Sequence, residues 1–166
     1  MKWIDCGLLE LEAIRSIFNE VIATSTALYE DDPRSPEFMT AWLEAKEKAG
    51  YPILGVTDDQ GTLMGFASYG AFRPHPGYRH TVEHSVYVAS PFQGQGLGKL
   101  LLQRITQAAR ERGFRTLIGV IDADNATSIS LHEKQGFTRC AHITEAGFKF
   151  GRWLDIVMYQ KLLAEE

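Results

Sequence analysis

The chain has 166 residues, 45% hydrophobic and 23% charged, the balance of one ordinary globular domain with a full core and no room for a second. A formal net charge of −4 speaks against a nucleic-acid partner, which would need a basic face. With no apolar run of membrane-spanning length and no basic-then-apolar leader, the composition predicts a cytoplasmic protein without a membrane partner.

In chain order, Trp3–Cys6 reads as a short first strand, and Leu8, Leu11, Ile14, Ile17, Phe18 and Val21 recur at helical spacing, predicting a helix over about 8–22. Ser35 as N-cap and Pro36 at the first helical position start a second helix that ends near Gly50. Pro52–Thr57 and Leu63–Tyr69 form an antiparallel hairpin around Asp58-Asp59-Gln60-Gly61. After a loop rich in Pro, Gly and His, Thr81–Val88 is a strand. A helix of about 96–112 follows, stopping at Gly113, with Leu97, Leu100, Leu101, Ile105, Ala108 and Ala109 as its buried face.

Arg115–Ile121 is a continuous apolar strand, most simply parallel to 81–88 through a right-handed crossover. Asn125 caps a short helix to Gln135, and strands near 137–143 and 153–162 close the sheet. The predicted class is α/β: a mixed sheet of about seven strands with helices on both faces, in one domain spanning 1–166. Cys6 and Cys140 stand alone without metal or redox spacing and read as buried thiols. His80 and His84 would lie roughly 13 Å apart along a strand, too far to share a metal. No metal is expected.

The most informative stretch joins strand 81–88 to the helix that follows, through Gln93-Gly94-Gln95-Gly96-Leu97-Gly98-Lys99. Unpaired N–H groups at a helix start, with the positive end of its macrodipole, cradle an anion. A Walker-type loop would need Gly at Gln93 and Ser or Thr at Leu100, and a dinucleotide fingerprint would need Gly at Lys99. The pattern that fits is Gln/Arg-x-x-Gly-x-Gly, which resembles the acyl-coenzyme A pyrophosphate loop of the GNAT superfamily of N-acetyltransferases. The order of predicted elements is also the GNAT order. The segments Phe72–Val88 and Gly147–Asp155 look like its phosphinothricin N-acetyltransferase branch, and within it the bacterial methionine sulfoximine/methionine sulfone acetyltransferases.

The resemblance implies a GNAT fold and an acetyl-CoA-dependent enzyme. It places a catalytic base at Glu83, whose strand face also carries Thr81, Ser85 and Tyr87, with Val82 and His84 on the other. Along an unbroken strand Glu83 would lie roughly 16 Å from Val88, so a β-bulge or a water chain is expected between them. The Val88 N–H is the implied oxyanion donor. In the run Asn125–Phe137, His132 stands where most GNAT enzymes carry an acidic Tyr, as it does in the phosphinothricin branch. It reads either as the acid for the departing thiolate or as a packed residue.

Implied cofactor contacts are Val86, Tyr87, Val88, Gln93, Gly94, Gln95, Gly96, Leu97, Gly98, Lys99, Asn125, Ser128 and Lys134. Implied substrate contacts are Tyr29, Arg73, His75 and Tyr78, with basic side chains for an amino-acid carboxylate. The 147–153 hairpin carries Lys149, Arg152 and Trp153, large enough to close a pocket or cover a subunit contact, and relatives in this branch are dimers, so a homodimer is expected. The expected reaction is direct acetyl transfer to the α-amine of a small amino acid or analogue such as methionine sulfoximine, methionine sulfone or phosphinothricin. The alternatives are a protein N-terminal or polyamine acetyltransferase and a non-catalytic acyl-CoA sensor.

Overall fold

The computed structural model describes residues 1–164. Its strands are β1 (Lys2–Asp5), β2 (Ile53–Thr57), β3 (Leu63–Ala71), β4 (Thr81–Val88), β5 (Thr116–Asp122), β6 (Thr138–Lys149) and β7 (Arg152–Leu162). Its α-helices are α1 (Leu11–Thr24), α2 (Pro36–Ala49), α3 (Leu97–Glu111) and α4 (Ala126–Lys134). The strands form one sheet in the order β1-β2-β3-β4-β5-β7-β6. Among the described residues only β4 and β5 pair in parallel; every other neighbour is antiparallel.

One face buries Leu11, Ile14, Ile17 and Phe18 of α1 and Met39 and Leu43 of α2 against Phe66 of β3. The other buries Leu97, Leu101, Leu102, Ile105 and Ala109 of α3 against Ala67, Val82 and Leu117. Helix α2 starts as its residues dictate: Ser35 Oγ accepts from Phe38 N at 3.0 Å, Pro36 takes the first position, and Gly50 ends the helix at φ +70°.

Several expected boundaries move. Leu8–Glu10 is a 3-10 turn rather than the first turn of α1, and Leu8 is 73% exposed. Leu100 is 37% exposed, because α3 turns its Leu101–Leu102–Ile105 side to the sheet. Cys140 is exposed rather than buried, since β6 is an edge strand; Cys6 is half-buried, and burial pushes its thiol up to about 12.

Strand β6 runs to Lys149, well past 143, because irregularities between Arg139 and Ala141 and between Ile143 and Gly147 absorb its extra residues. Asp155 holds the second, with Oδ1 accepting from Glu145 N at 2.8 Å and Oδ2 lying 2.9 Å from His142 Nε2. Phe150 (φ +52°) and Gly151 (φ +73°) then make a two-residue hairpin of the left-handed kind that strand twist favours.

Of the two features expected between Glu83 and Val88, a β-bulge or a water chain, the bulge is absent. Seven consecutive pairs, from Gly65↔Val88 to Ala71↔Val82, hold β4 to β3 without a shift. The break lies on the other side of β4: its pairing with β5 covers only Thr81↔Thr116, Val82↔Leu117 and Glu83↔Ile118. Beyond Glu83 the two parallel strands part.

Candidate active site

The parting of β4 and β5 opens a cavity of about 650 Å³, lined among others by Val86, Val88, Gln93, Gly94, Gly96, Asn125 and Ser128. Ala89 N bonds Met64 O on β3 at 2.9 Å. The alternation of an antiparallel ladder therefore turns the N–H groups of Val86 and Val88 away from β3, toward the side β5 has left. At the end of β4, Gln93 Nε2 donates to Val88 O at 3.1 Å and ties the loop to the strand.

Gly94 (φ +75°) and Gly96 (φ +81°) take left-handed conformations that residues with a Cβ rarely adopt, and Gly96 is the α3 N-cap. No side chain caps this helix and no acidic residue sits in its first turn. Its first N–H groups and the positive macrodipole end thus face a cavity that also holds Leu97, Gly98 and Lys99. That is a fit for a diphosphate. Gln95 and Lys134 line neither this cavity nor its neighbour. Asn125 serves as the α4 cap, its Oδ1 accepting from Ser128 N at 3.1 Å.

A second cavity of about 250 Å³ lies on the α1/α2 face, lined by Thr26, Ala27, Leu28, Tyr29, Glu83, Ser85, Tyr87, Val120 and Asp122 among others. The two meet, since Ala27, His84, Ser85, Tyr87, Val120 and Asp122 line both. Burial raises the Glu83 carboxyl above the ordinary carboxylate range, with Arg73 and Lys46 pulling the other way. Lys46 is itself pushed down to about 8 by burial, against Glu83, and its ammonium donates to Tyr69 O at 2.8 Å. Tyr29 OH donates to Asp122 Oδ2 at 2.6 Å; burial and then this carboxylate raise the phenol's pKa.

His132 does not present itself as an acid. It is 6% exposed, its Nδ1 lies 2.7 Å from Ser128 O and its Nε2 lies 2.9 Å from Nε2 of the buried His84. The tautomer that satisfies both contacts puts the proton on Nδ1, donating to Ser128 O, and makes Nε2 accept from His84. Burial lowers the pKa of His132, and burial followed by His132 pushes His84 down to about 3. Both shifts favour the neutral rings, and in this tautomer the N–H of His132 is taken up by Ser128 O. The pair sits over Gly119, where a Cβ would come within 2.9 Å of His84 Cε1.

Of the four expected substrate contacts, only Tyr29 lines the second cavity. Arg73, His75 and Tyr78 are exposed on the loop before β4, with the His75 and Tyr78 rings 6.3 Å apart, and Arg73 reaches Glu83 only as a field. Lys149, 2% exposed, has no carboxylate partner among the described residues. Its ammonium donates to Ser25 O and Leu28 O, both at 2.7 Å, and so fastens the loop before Tyr29. Gly147 leaves room for that ring: a Cβ there would lie 2.3 Å from Tyr29 Cδ2. Arg152 and Trp153 are exposed instead. Sequence reading missed Asp122 and His84 as site residues; the one signal was an acidic residue at the carboxyl end of a parallel strand, where open sheets bind ligands.

The family model described as "Acetyltransferase (GNAT) family" matches residues 14–137. The chain belongs to the GNAT acetyltransferase family. It is 41% identical over 156 residues to an L-methionine sulfoximine/L-methionine sulfone acetyltransferase of Pseudomonas paraeruginosa, covering 94% of this chain and 91% of the relative. It is 37% identical over 155 residues to the phosphinothricin N-acetyltransferase of Alcaligenes faecalis, covering 93% and 78%. Among solved structures, a GNAT superfamily phosphinothricin acetyltransferase from Sinorhizobium meliloti in complex with AcCoA superposes with a TM-score of 0.94 at 34% identity, covering 98% of this chain and 88% of that one.

In this GNAT chain the Lys149 clasp is open to a direct check. Lys149→Met keeps the stem and removes the ammonium, leaving two carbonyls without their donor at a cost of about 1–3 kcal/mol. Urea denaturation should show that loss, and hydrogen exchange should quicken at residues 25–29. Unchanged stability and exchange would contradict the clasp.

Proposed function

We propose that this GNAT enzyme moves the acetyl group of acetyl-CoA directly to the α-amine of a small amino acid or analogue of the methionine sulfoximine, methionine sulfone and phosphinothricin class. The observation that carries the reading is the meeting of two cavities where β4 leaves β5: one ends on a bare helix N-terminus, the other holds Glu83. The first suits the diphosphate of the donor, held by amides from Gly94 to Lys99. The second suits an acceptor of amino-acid size.

The α-ammonium must lose a proton before its nitrogen can attack. Glu83, with a carboxyl raised by burial, takes that proton through intervening water. The nitrogen lone pair then forms the bond to the thioester carbon, and the carbonyl electron pair moves to oxygen, where the Val88 N–H receives it. The carbon–sulfur bond breaks with its electrons on sulfur; a thiolate of ordinary pKa, about 8.5, leaves with water as its proton source. Arg73, His75 and Tyr78 lie on the loop that leads into β4, where a guanidinium would orient the acceptor's carboxylate.

The chain acts as a homodimer. Ile143, Phe148, Phe150 and Trp153 of the β6–β7 hairpin are 45%, 54%, 57% and 63% exposed and form an apolar surface beside the sheet edge. A second copy covers it. Sedimentation at micromolar concentration should give the dimer mass and Trp153→Glu should give the monomer; a monomeric wild type would refute the assembly.

Glu83→Gln should lower kcat/KM by a factor of about 10² or more while calorimetry shows acetyl-CoA binding as tightly as before. In the wild type, kcat/KM should fall as pH drops through the raised Glu83 pKa, because the protonated carboxyl can no longer accept. That limb should vanish in the variant. Full turnover by Glu83→Gln would remove the base from this scheme.

A further inference from the structure

We propose that Asp122 is a further catalytic residue of this site, its carboxylate receiving the acceptor's amine next to the thioester carbon. The inference rests on the acetyltransferase reading above. Its basis is register. In the parallel pair, Glu83 stands opposite Ile118, so four residues further along each strand Tyr87 and Asp122 come to the same level. Alternation keeps Ile118, Val120 and Asp122 on the face of Glu83, Ser85 and Tyr87, and Glu83, Ser85, Tyr87, Val120 and Asp122 all line the acceptor cavity. At about 3.3 Å per residue, Glu83 lies roughly 13 Å back along the strands from that level. Val88, the oxyanion donor, adjoins Tyr87. Of the two carboxylates that line the acceptor cavity, the one nearer the reacting carbon is therefore Asp122, which also lines the donor cavity.

Asp122 is held for this task. It is 6% exposed, Oδ2 accepts from Tyr29 OH at 2.6 Å and Oδ1 accepts from Asp124 N at 2.9 Å. Each oxygen keeps a lone pair. Among the described residues the ion pairs leave Asp122 without a cation, and Arg152 pairs with Asp124 instead. A buried carboxylate without a counter-charge is costly, and an incoming ammonium supplies that charge where the two cavities meet.

The step balances without any other reactant. Glu83 takes one proton from the ammonium through a chain of water molecules, and the freed lone pair forms the carbon–nitrogen bond. The nitrogen then carries positive charge, and Asp122 accepts a hydrogen bond from one of its N–H groups. As the carbon–sulfur bond breaks with its electrons on sulfur, the second proton leaves the nitrogen to water and the amide remains.

The test compares L-methionine sulfone as acceptor with its desamino analogue, 4-(methylsulfonyl)butanoate, as competitive inhibitor, using full-length enzyme and acetyl-CoA. Asp122→Asn keeps an oxygen for Tyr29 and removes the charge. It should raise KM for the amino acid about tenfold or more, with Ki for the desamino analogue and KM for acetyl-CoA unchanged within about twofold. An equal loss for both acceptor-site ligands indicates a merely structural role and overturns the assignment, as does no loss at all. Asp122→Glu keeps the charge and should retain the preference for the amine even where Asp122→Asn proves unfolded; a folded Asp122→Glu enzyme without that preference also overturns it. A wild type that releases no thiol with any amino acid removes the acetyltransferase reading and this assignment together, whereas wild-type turnover with an indifferent Asp122→Asn removes this assignment alone.

Discussion

Parallel pairing between β4 and β5 lasts for three residues and then stops, and the rest of the site follows from that stop. Each strand has a complete antiparallel partner on its outer side, β3 for β4 and β7 for β5, so the gap between them costs neither strand its place in the sheet. Inside the gap, Val86 and Val88 keep main-chain N–H groups with no ladder partner on that side, a cost that a bound donor carrying amides and a carbonyl would offset. The loop that leaves β4 turns through two left-handed glycines into a helix that no side chain caps. A strand edge and a helix start thus converge on one cavity and suit the two ends of one long ligand.

The acceptor side is built differently, from contacts between distant parts of the chain. Lys149 at the tip of β6 grips the carbonyls of Ser25 and Leu28, Gly147 makes space for the Tyr29 ring, and the Tyr29 hydroxyl holds Asp122 at the end of β5. The hairpin, the α1–α2 loop and the parallel strand are fastened together by one ammonium, one missing Cβ and one phenol. On the opposite face His84 and His132 fill the space over Gly119 as a neutral, buried pair. Their chemistry supports the floor of the site rather than proton delivery.

This division explains what the sequence made legible. The glycine turn, the caps of α2 and α4, the order of elements along the chain and the parallel crossover are local or periodic features, written in neighbouring residues. The distance from Glu83 to Val88 called for a β-bulge or a water chain, and the unbroken register of β4 with β3 leaves only the water chain. His84 lies 48 residues from His132, Tyr29 lies 93 from Asp122 and Lys149 lies 121 from Leu28. No spacing rule connects residues so far apart, so the sequence left His132 open between an acid and a packed residue, and Lys149 between closing a pocket and covering a subunit contact. The helical pattern at Leu8 misled for the converse reason: its spacing continues that of α1, but a 3-10 turn carries it out of the core.

The central claim is that main-chain amides of the parted strand and of the α3 start hold the donor. Amide chemical shifts of the isotopically labelled protein, followed while acetyl-CoA is added, address it most directly. The account predicts saturable shifts at Val86, Val88 and Gly94–Lys99, with desulfo-coenzyme A reproducing those of the glycine turn. Saturable binding that leaves these amides unmoved, with the shifts gathered elsewhere, would contradict it.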